Sequence, residues 1–224
     1  IIGSHNLSGE TVRFGQITED DAKTVPLDGN PFWISQRKRG FLPEMIEGII
    51  RRRMEIKKEI EHAQGERVII LDARQYSLKL LANAFYGYLG FYAARWYSRE
   101  AAEATTAFGR YYIKKVIGTA QEKGFSVIYS DTDSVFLTLG SKTKQDAMDF
   151  AQEVNKDLPG LMELEFDGFY PRGLFVSAKA SGIGAKKRYA LLSEENSITI
   201  KGFESVRRNT SPIAREVQEN VFSI

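Results

Sequence analysis

The sequence predicts an α+β chain, with an antiparallel sheet, flanking helices and a projecting antiparallel helical hairpin. Three observations carry that expectation. Between Pro43 and Gly124, apolar residues recur at helical spacing in three long runs. From Phe125 onward, short runs of β-branched and aromatic residues are separated by turn residues. At the tip of the first such pair, Tyr129-Ser130-Asp131-Thr132-Asp133-Ser134 sets two carboxylates one residue apart.

In chain order, residues 1–40 contain Pro26, Pro31 and several glycines and are expected to form an irregular connecting segment. Pro43 suits the first turn of a helix, and Ile46, Ile49, Ile50, Ile56 and Ile60 give the run to His62 an apolar stripe. Gln64-Gly65 breaks it. A second helix over 67–85 is expected to stop ahead of Gly87 and Gly90, and so short a break makes the pair a hairpin. Ser98 is a good N-cap for a third helix that carries Phe108, Tyr112, Val116 and Ile117 to Gly124. Residues 125–129 and 135–139 read as strands around the acidic turn. A helix over 143–157 is closed by Pro159-Gly160. Residues 161–166 alternate apolar and acidic and are expected to be a strand, as are 173–178, 188–192 and 197–203. Ser211-Pro212 then opens a last helix, an N-cap followed by proline at the first helical position.

Composition narrows the classes of function. A chain of 224 residues, 42% hydrophobic and 27% charged, has the balance of a globular protein with room for a core. No apolar run approaches the ~20 residues of a membrane span, and no secretory pattern opens the chain. The absence of cysteine excludes disulfides and thiolate metal sites. Two histidines, His5 and His62, are too few for a histidine-based metal cluster. The net charge of +2 points to no partner, but Arg51-Arg52-Arg53 and Lys57-Lys58 concentrate five cations against Glu55 alone. The first residue is Ile rather than Met, which marks the chain as a fragment, a processed piece or an incomplete record.

The acidic turn admits several readings. Asp favours turns simply because it bonds its own backbone. A calcium loop of EF-hand type also begins D-x-D-S, yet its sixth position would be Phe136 instead of Gly and its twelfth Lys142 instead of Glu, so that reading fails. The third reading is a pair of oxygen ligands for Mg²⁺, which keeps substrate phosphates in its shell and serves two-metal phosphoryl transfer. The helical hairpin bears on the choice. Lys79, Asn83 and Tyr86 stand at i, i+4 and i+7 on one face of the second helix, and Arg53 and Lys57 are four apart on the first. A solvated basic face is the commoner meaning of such charges. Beside an acidic hairpin, a triphosphate clamp is the better reading, with Arg gripping phosphate oxygens in pairs and Lys adding a point charge.

These segments resemble family B DNA polymerases. Leu71-Asp72-Ala73-Arg74-Gln75 through Lys79-Leu80-Leu81-Ala82-Asn83-Ala84-Phe85-Tyr86-Gly87-Tyr88 resembles the family's fingers motif. Tyr129 to Ser134 resembles its second palm motif, and Lys186-Lys187-Arg188-Tyr189 the K-K-x-Y element that tracks primer–template DNA. Gly40-Phe41-Leu42-Pro43 and Val206-Arg207-Arg208 are similar to archaeal and eukaryotic replicative members, and Ile1 to Ser8 resembles the stretch just after the first palm motif. Several motifs in the right order are far more specific than any one. Departures are Ala84 for a usual Ser, Ser130 for Gly, Asn209 for Asp, and the run from Ala180 to Ala185, which reads as an insertion.

The resemblance implies an organisation of 1–40 as palm-to-fingers connection, 41–90 as fingers, 91–209 as palm and 210–224 as the start of the thumb. It implies that Arg53, Lys57, Lys79 and Asn83 hold the triphosphate and that Tyr86 packs under the nascent base pair. Asp131 and Asp133 would ligate two Mg²⁺ ions, Asp133 the more consistently, while Lys187 and Tyr189 contact DNA. Asp131, Asp133 and Lys79 are the catalytic candidates. Glu163 and Glu165 read as surface carboxylates. The implied partners are primer–template DNA, deoxynucleoside triphosphates and the rest of a polymerase in the same or another chain, in the cytoplasm of a prokaryote or the nucleus of a eukaryote. The first palm motif, the exonuclease domain and most of the thumb are expected outside these residues. Two classes of function follow: part of an active DNA polymerase, or a non-catalytic accessory subunit that binds DNA or a partner polymerase. Retained charged groups favour the first.

Overall fold

The computed structural model describes residues 1–26, 32–177 and 184–222. Its elements are β1 (Val12–Phe14), β2 (Lys23–Thr24), β3 (Phe32–Ile34), α1 (Phe41–Glu61), α2 (Glu66–Gly90) and α3 (Arg99–Glu122). There follow β4 (Ser126–Asp131), β5 (Ser134–Thr138), α4 (Lys144–Lys156), β6 (Arg172–Ser177), β7 (Gly184–Leu192), β8 (Ile198–Lys201), a 3₁₀ turn (Glu204–Val206) and α5 (Pro212–Phe222). The strands make three antiparallel sheets, ordered β1-β3-β2, β4-β5 and β6-β7-β8. The class is α+β. The chain divides into two compact units, one drawn from Ile1–Lys115 and Glu153–Leu164, the other from Val116–Gln152 and Glu165–Ile224.

In the first unit, the described part of residues 1–40 is not the irregular connector expected. Leu7 and Ile34 are fully buried, and with Leu42, Ile46, Leu89 and Phe108 they form the core. Asn6 anchors the segment. Its side-chain amide donates to the carbonyls of Ser35 (3.1 Å) and Lys38 (2.9 Å), and its side-chain oxygen accepts from the Gly40 N–H (2.8 Å). A Cβ at Gly40 would stand 2.5 Å from Ser8 Oγ, so glycine is needed where the chain turns into α1. The Glu10 carboxylate accepts the Phe41 N–H (2.6 Å), placing negative charge at the helix start.

Gly65, at φ +59°, turns α1 into α2. The second helix does not stop ahead of Gly87. It continues to Gly90, because fully buried Leu89 belongs to the core and its carbonyl accepts the Ser98 N–H (3.0 Å). Packing there outweighs the ~1 kcal/mol that each interior glycine costs a helix. Ser98 caps α3 as expected, its Oγ accepting from the Ala101 N–H (3.2 Å). His5 lies flat on Phe108, centroids 3.8 Å apart, and its Nε2 is 3.0 Å from the Tyr112 hydroxyl. The expected strand at 161–166 does not form. The Asn155 side chain takes the Leu164 N–H (2.7 Å) and donates to its carbonyl (3.0 Å), occupying the groups a partner strand would need.

In the second unit, Thr143 and Asp146 cap α4 reciprocally, side chain to backbone N–H in both directions. Tyr129 and Phe136 from the β4–β5 hairpin pack with Phe175 and Tyr189 from β6 and β7, all centroids within 5.3–5.8 Å. That aromatic cluster joins two sheets that share no ladder. Arg188 grips Glu204 with two 2.7 Å bonds, and Gln218 of α5 donates to the same carboxylate (2.9 Å). Of the glycine-rich run, Ala180 to Ile183 lie outside the described residues.

Candidate functional site

The acidic turn is short. Asp131 ends β4 and pairs with Ser134, leaving Thr132 and Asp133 as a two-residue loop. Thr132 adopts φ +57°, a left-handed conformation that β-branched residues rarely take and that costs about 1–3 kcal/mol. Local bonds offset that cost. The Asp131 carbonyl accepts from the Asp133 N–H (2.7 Å) and the Ser134 hydroxyl (3.1 Å), and Thr132 Oγ1 donates to Asp131 Oδ1 (3.2 Å). Asp133 is exposed at the tip, while the Asp131 side chain keeps only 20% exposure.

Ile128 is an extra residue in β4. Val127 pairs with Leu137 but Tyr129 with Phe136, so the ladder bulges at Ile128 and resumes in a new phase. Tyr129 and Asp131 then share a face of the strand. On β7, Lys187 Nζ lies 4.0 Å from Asp131 Oδ2 and remains 75% exposed. Its backbone is also left-handed, at φ +57°, and its N–H donates to the Tyr129 phenol oxygen at 2.5 Å. A Cβ at Gly202 would fall 1.9 Å from the Lys187 carbonyl oxygen, and Gly202 itself has φ +67°. Burial, and then the neighbouring Tyr129 phenol and nearby carboxylates, push the Tyr189 hydroxyl pKa upward, so it is a neutral donor near pH 7.

Two carboxylates on an exposed turn have the hard oxygens Mg²⁺ prefers. They fit as part of an ion's shell and not as the whole: among the described residues, no three His, Cys, Asp or Glu side chains gather around a common point. Glu163 and Glu165 are exposed.

The helical hairpin sorts its cations. Arg51 is bound to Glu47 (2.7 Å), and Arg52 to Glu55 (2.8 Å) with Glu59 at 3.7 Å. Among the described residues, Arg53 meets no carboxylate. Its Nε donates to Gln75 Oε1 (3.1 Å), whose amide in turn donates to Asp72 (2.9 Å). Gln75 stands one turn before Lys79, so Arg53 reaches the flank of α2 that carries Lys79, Asn83 and Tyr86. Those three are exposed, and Lys57 is exposed one turn beyond Arg53.

A model of DNA polymerase family B matches residues 1–224. The chain belongs to DNA polymerase family B. This family B chain is 40% identical over 226 residues to DNA polymerase 1 of Pyrococcus abyssi, covering 99% of the chain and 28% of that protein. It is likewise 40% identical over 227 residues to the DNA polymerase of Thermococcus gorgonarius, with the same coverage. Among solved structures it resembles the family B DNA polymerase from the hyperthermophilic archaeon Pyrobaculum calidifontis. The TM-score there is 0.72 at 28% identity, covering 99% of the chain and 29% of the other. The chain thus spans a little over a quarter of the relatives it matches. The helical hairpin and the acidic turn of this family B chain fall within one matched span. No described helix is long and apolar enough to cross a membrane. Sequence reasoning gave Gln75 and Tyr129 no role beyond membership of their motifs and did not single out Gly202; their contacts join residues 22, 58 and 15 positions apart.

Proposed function

We propose that the chain supplies the fingers and the second part of the palm of a DNA polymerase. The reaction is template-directed transfer of a nucleotide from a deoxynucleoside triphosphate to a primer 3′-hydroxyl. The observation that carries the reading is the acidic turn: two carboxylates held by a strained two-residue loop, inside a span that matches family B polymerases throughout. Strain of this kind persists where surrounding structure enforces a conformation for use.

Asp131 and Asp133 would hold the divalent cations. When bound, two such ions lower the pKa of an attacking hydroxyl and neutralise charge on the triphosphate and its leaving group. The chain's own groups do the rest. Arg53, Lys57 and Lys79 bind the outer phosphates and stabilise charge that grows on the leaving oxygens, with Lys79 the most direct. Asn83 orients the triphosphate, and Tyr86 offers an aromatic surface that checks base-pair shape without reading sequence. Lys187 and Tyr189 hold the DNA near the primer end, Tyr189 as a protonated donor. The domain boundaries at 40, 90 and 209, the cytoplasmic setting and the remaining polymerase segments as partners belong to the same proposal.

The test uses a chimera in which residues 1–224 replace the matched segment of an archaeal family B polymerase. Asp133→Ala is expected to abolish single-turnover incorporation while primer–template affinity stays within about twofold, the effect of an exposed charge. Asp131→Ala is expected to be slower than the parent but less severe. Near-normal rates in Asp133→Ala would refute the metal assignment, and a chimera with no synthesis before mutation would favour the accessory-subunit reading.

A further inference from the structure

Lys187 and Tyr129 stand 58 positions apart, and one hydrogen bond joins them: the Lys187 N–H to the Tyr129 phenol oxygen, at 2.5 Å. Lys187 needs such support. Its φ of +57° is a conformation that side-chain-bearing residues leave when nothing holds them. The β6–β7 ladder does not hold it. Phe175 pairs with Tyr189, and the next pair is Ser177 with Gly184, so the ladder skips the backbone of Lys187 altogether.

Two features replace the ladder. On one side, the phenol of Tyr129 is fixed by three aromatic neighbours, Phe136, Phe175 and Tyr189, and Tyr129 is only 9% exposed. On the other, the Lys187 carbonyl lies against Gly202, in space that any Cβ would occupy. The result places Lys187 Nζ 4.0 Å from Asp131 while leaving it open to solvent. Tyr129 lies two residues before Asp131 on the same strand face, so its hydroxyl sets where Lys187 stands relative to that carboxylate.

We infer that Tyr129 is a positioning residue. Its hydroxyl, with Gly202 opposite, clamps the Lys187 backbone so that the ammonium reaches DNA at the primer end beside Asp131. The inference rests on the proposed DNA contact of Lys187. It predicts that loss of the hydroxyl alone acts through Lys187 and on DNA rather than on nucleotide.

The experiment is a double-mutant cycle in the polymerase chimera, with Tyr129→Phe, Lys187→Ala and the pair. Primer–template Kd, its salt dependence, nucleotide KM and the thermal midpoint are measured for each. Phe keeps the ring in the aromatic cluster and removes only the oxygen. Tyr129→Phe is expected to raise primer–template Kd by about threefold to tenfold, the worth of one hydrogen bond, with nucleotide KM unchanged. The pair is expected to match Lys187→Ala alone, and both are expected to lower the salt slope by similar amounts. If Lys187→Ala weakens DNA binding but Tyr129→Phe does not, or if the two losses add, the clamp is refuted and the DNA contact stands. If Lys187→Ala leaves DNA affinity and salt slope untouched, the DNA contact itself falls, and the clamp with it. A Tyr129→Phe loss that tracks a fall in thermal midpoint and persists in the Lys187→Ala background would show a merely structural role.

Discussion

Removing Arg51, Arg53, Lys57, Lys58 and Lys79 from α1 and α2 one at a time separates a phosphate clamp from a diffuse basic surface. Arg51→Ala breaks an exposed pair with Glu47, and Glu47 keeps its second partner, Arg39, at 2.5 Å. No charge is stranded, so the expected cost is about 0–1 kcal/mol. Lys58→Ala falls in the same range. Arg53 differs, since its guanidinium is steered by the neutral amide of Gln75 rather than spent on a carboxylate. Its remaining N–H donors are open to an anion on the flank of Lys79. If Arg53, Lys57 and Lys79 each make one charge-assisted bond to a phosphate oxygen, each change to Ala costs roughly 1.5–3 kcal/mol. That corresponds to about a 10- to 150-fold loss in nucleotide kcat/KM. The assay is single-turnover incorporation in the chimera across nucleotide concentrations, with primer–template affinity measured in parallel. Lys79→Ala is expected to show the largest loss. Equal losses for all five variants, confined to DNA affinity and its salt slope, would refute the clamp.

Two other expectations concern the chain itself. Residues 1–224 purified alone are expected to show no primer extension with Mg²⁺ and all four nucleotides, because two carboxylates do not complete an ion's shell; extension by the isolated chain would overturn that account. His5 makes stability pH-dependent. Burial, then nearby positive charge that includes Lys23, lowers its pKa from 6.5 to about 4. Unfolded His5 gains a proton below about pH 6.5 and the folded residue only near pH 4, so stability is full above that window and falls as the pH drops through it. The loss is at most about 3 kcal/mol. Urea unfolding at pH 7, 5.5 and 4 should show a shallower decline for His5→Gln than for the parent, and parallel declines would count against it.

Helices were legible where a local device marks an end. Ser98 and the Thr143–Asp146 pair bond as their residue types suggest, because a cap and its target lie within one turn. The strands β1 to β3 were not, since segments of two and three residues are too short to show a period. The alternation at 161–166 misled for a tertiary reason. Pattern shows which face a strand would bury, not whether a partner exists, and Asn155 had already taken the backbone groups of Leu164. For the site, composition and spacing brought out Asp131, Asp133 and the α2 face. Tyr129 stands in the acidic motif with no role of its own, and Gly202 carries no mark. A phenol in a strand is ordinarily packing and a glycine ordinarily a turn, and only three-dimensional proximity to Lys187 distinguishes them.

The bulge at Ile128 gives the hairpin a bend. Before it Val127 faces Leu137, and after it Tyr129 faces Phe136, so one unmatched residue sets Val127 and Tyr129, two apart in sequence, on opposite faces of the ribbon. Deleting Ile128 would leave the turn and its two acids intact in sequence. It would also remove the bulge while keeping Val127 opposite Leu137 and Tyr129 opposite Phe136, so what is lost is the local bend and added twist and not the face on which Tyr129 and Asp131 stand. Ile128 therefore sets the angle at which the acidic end of the hairpin leaves the ladder, and the length of the segment from Val127 to Asp131 matters to that angle more than the identity of its unmatched residue.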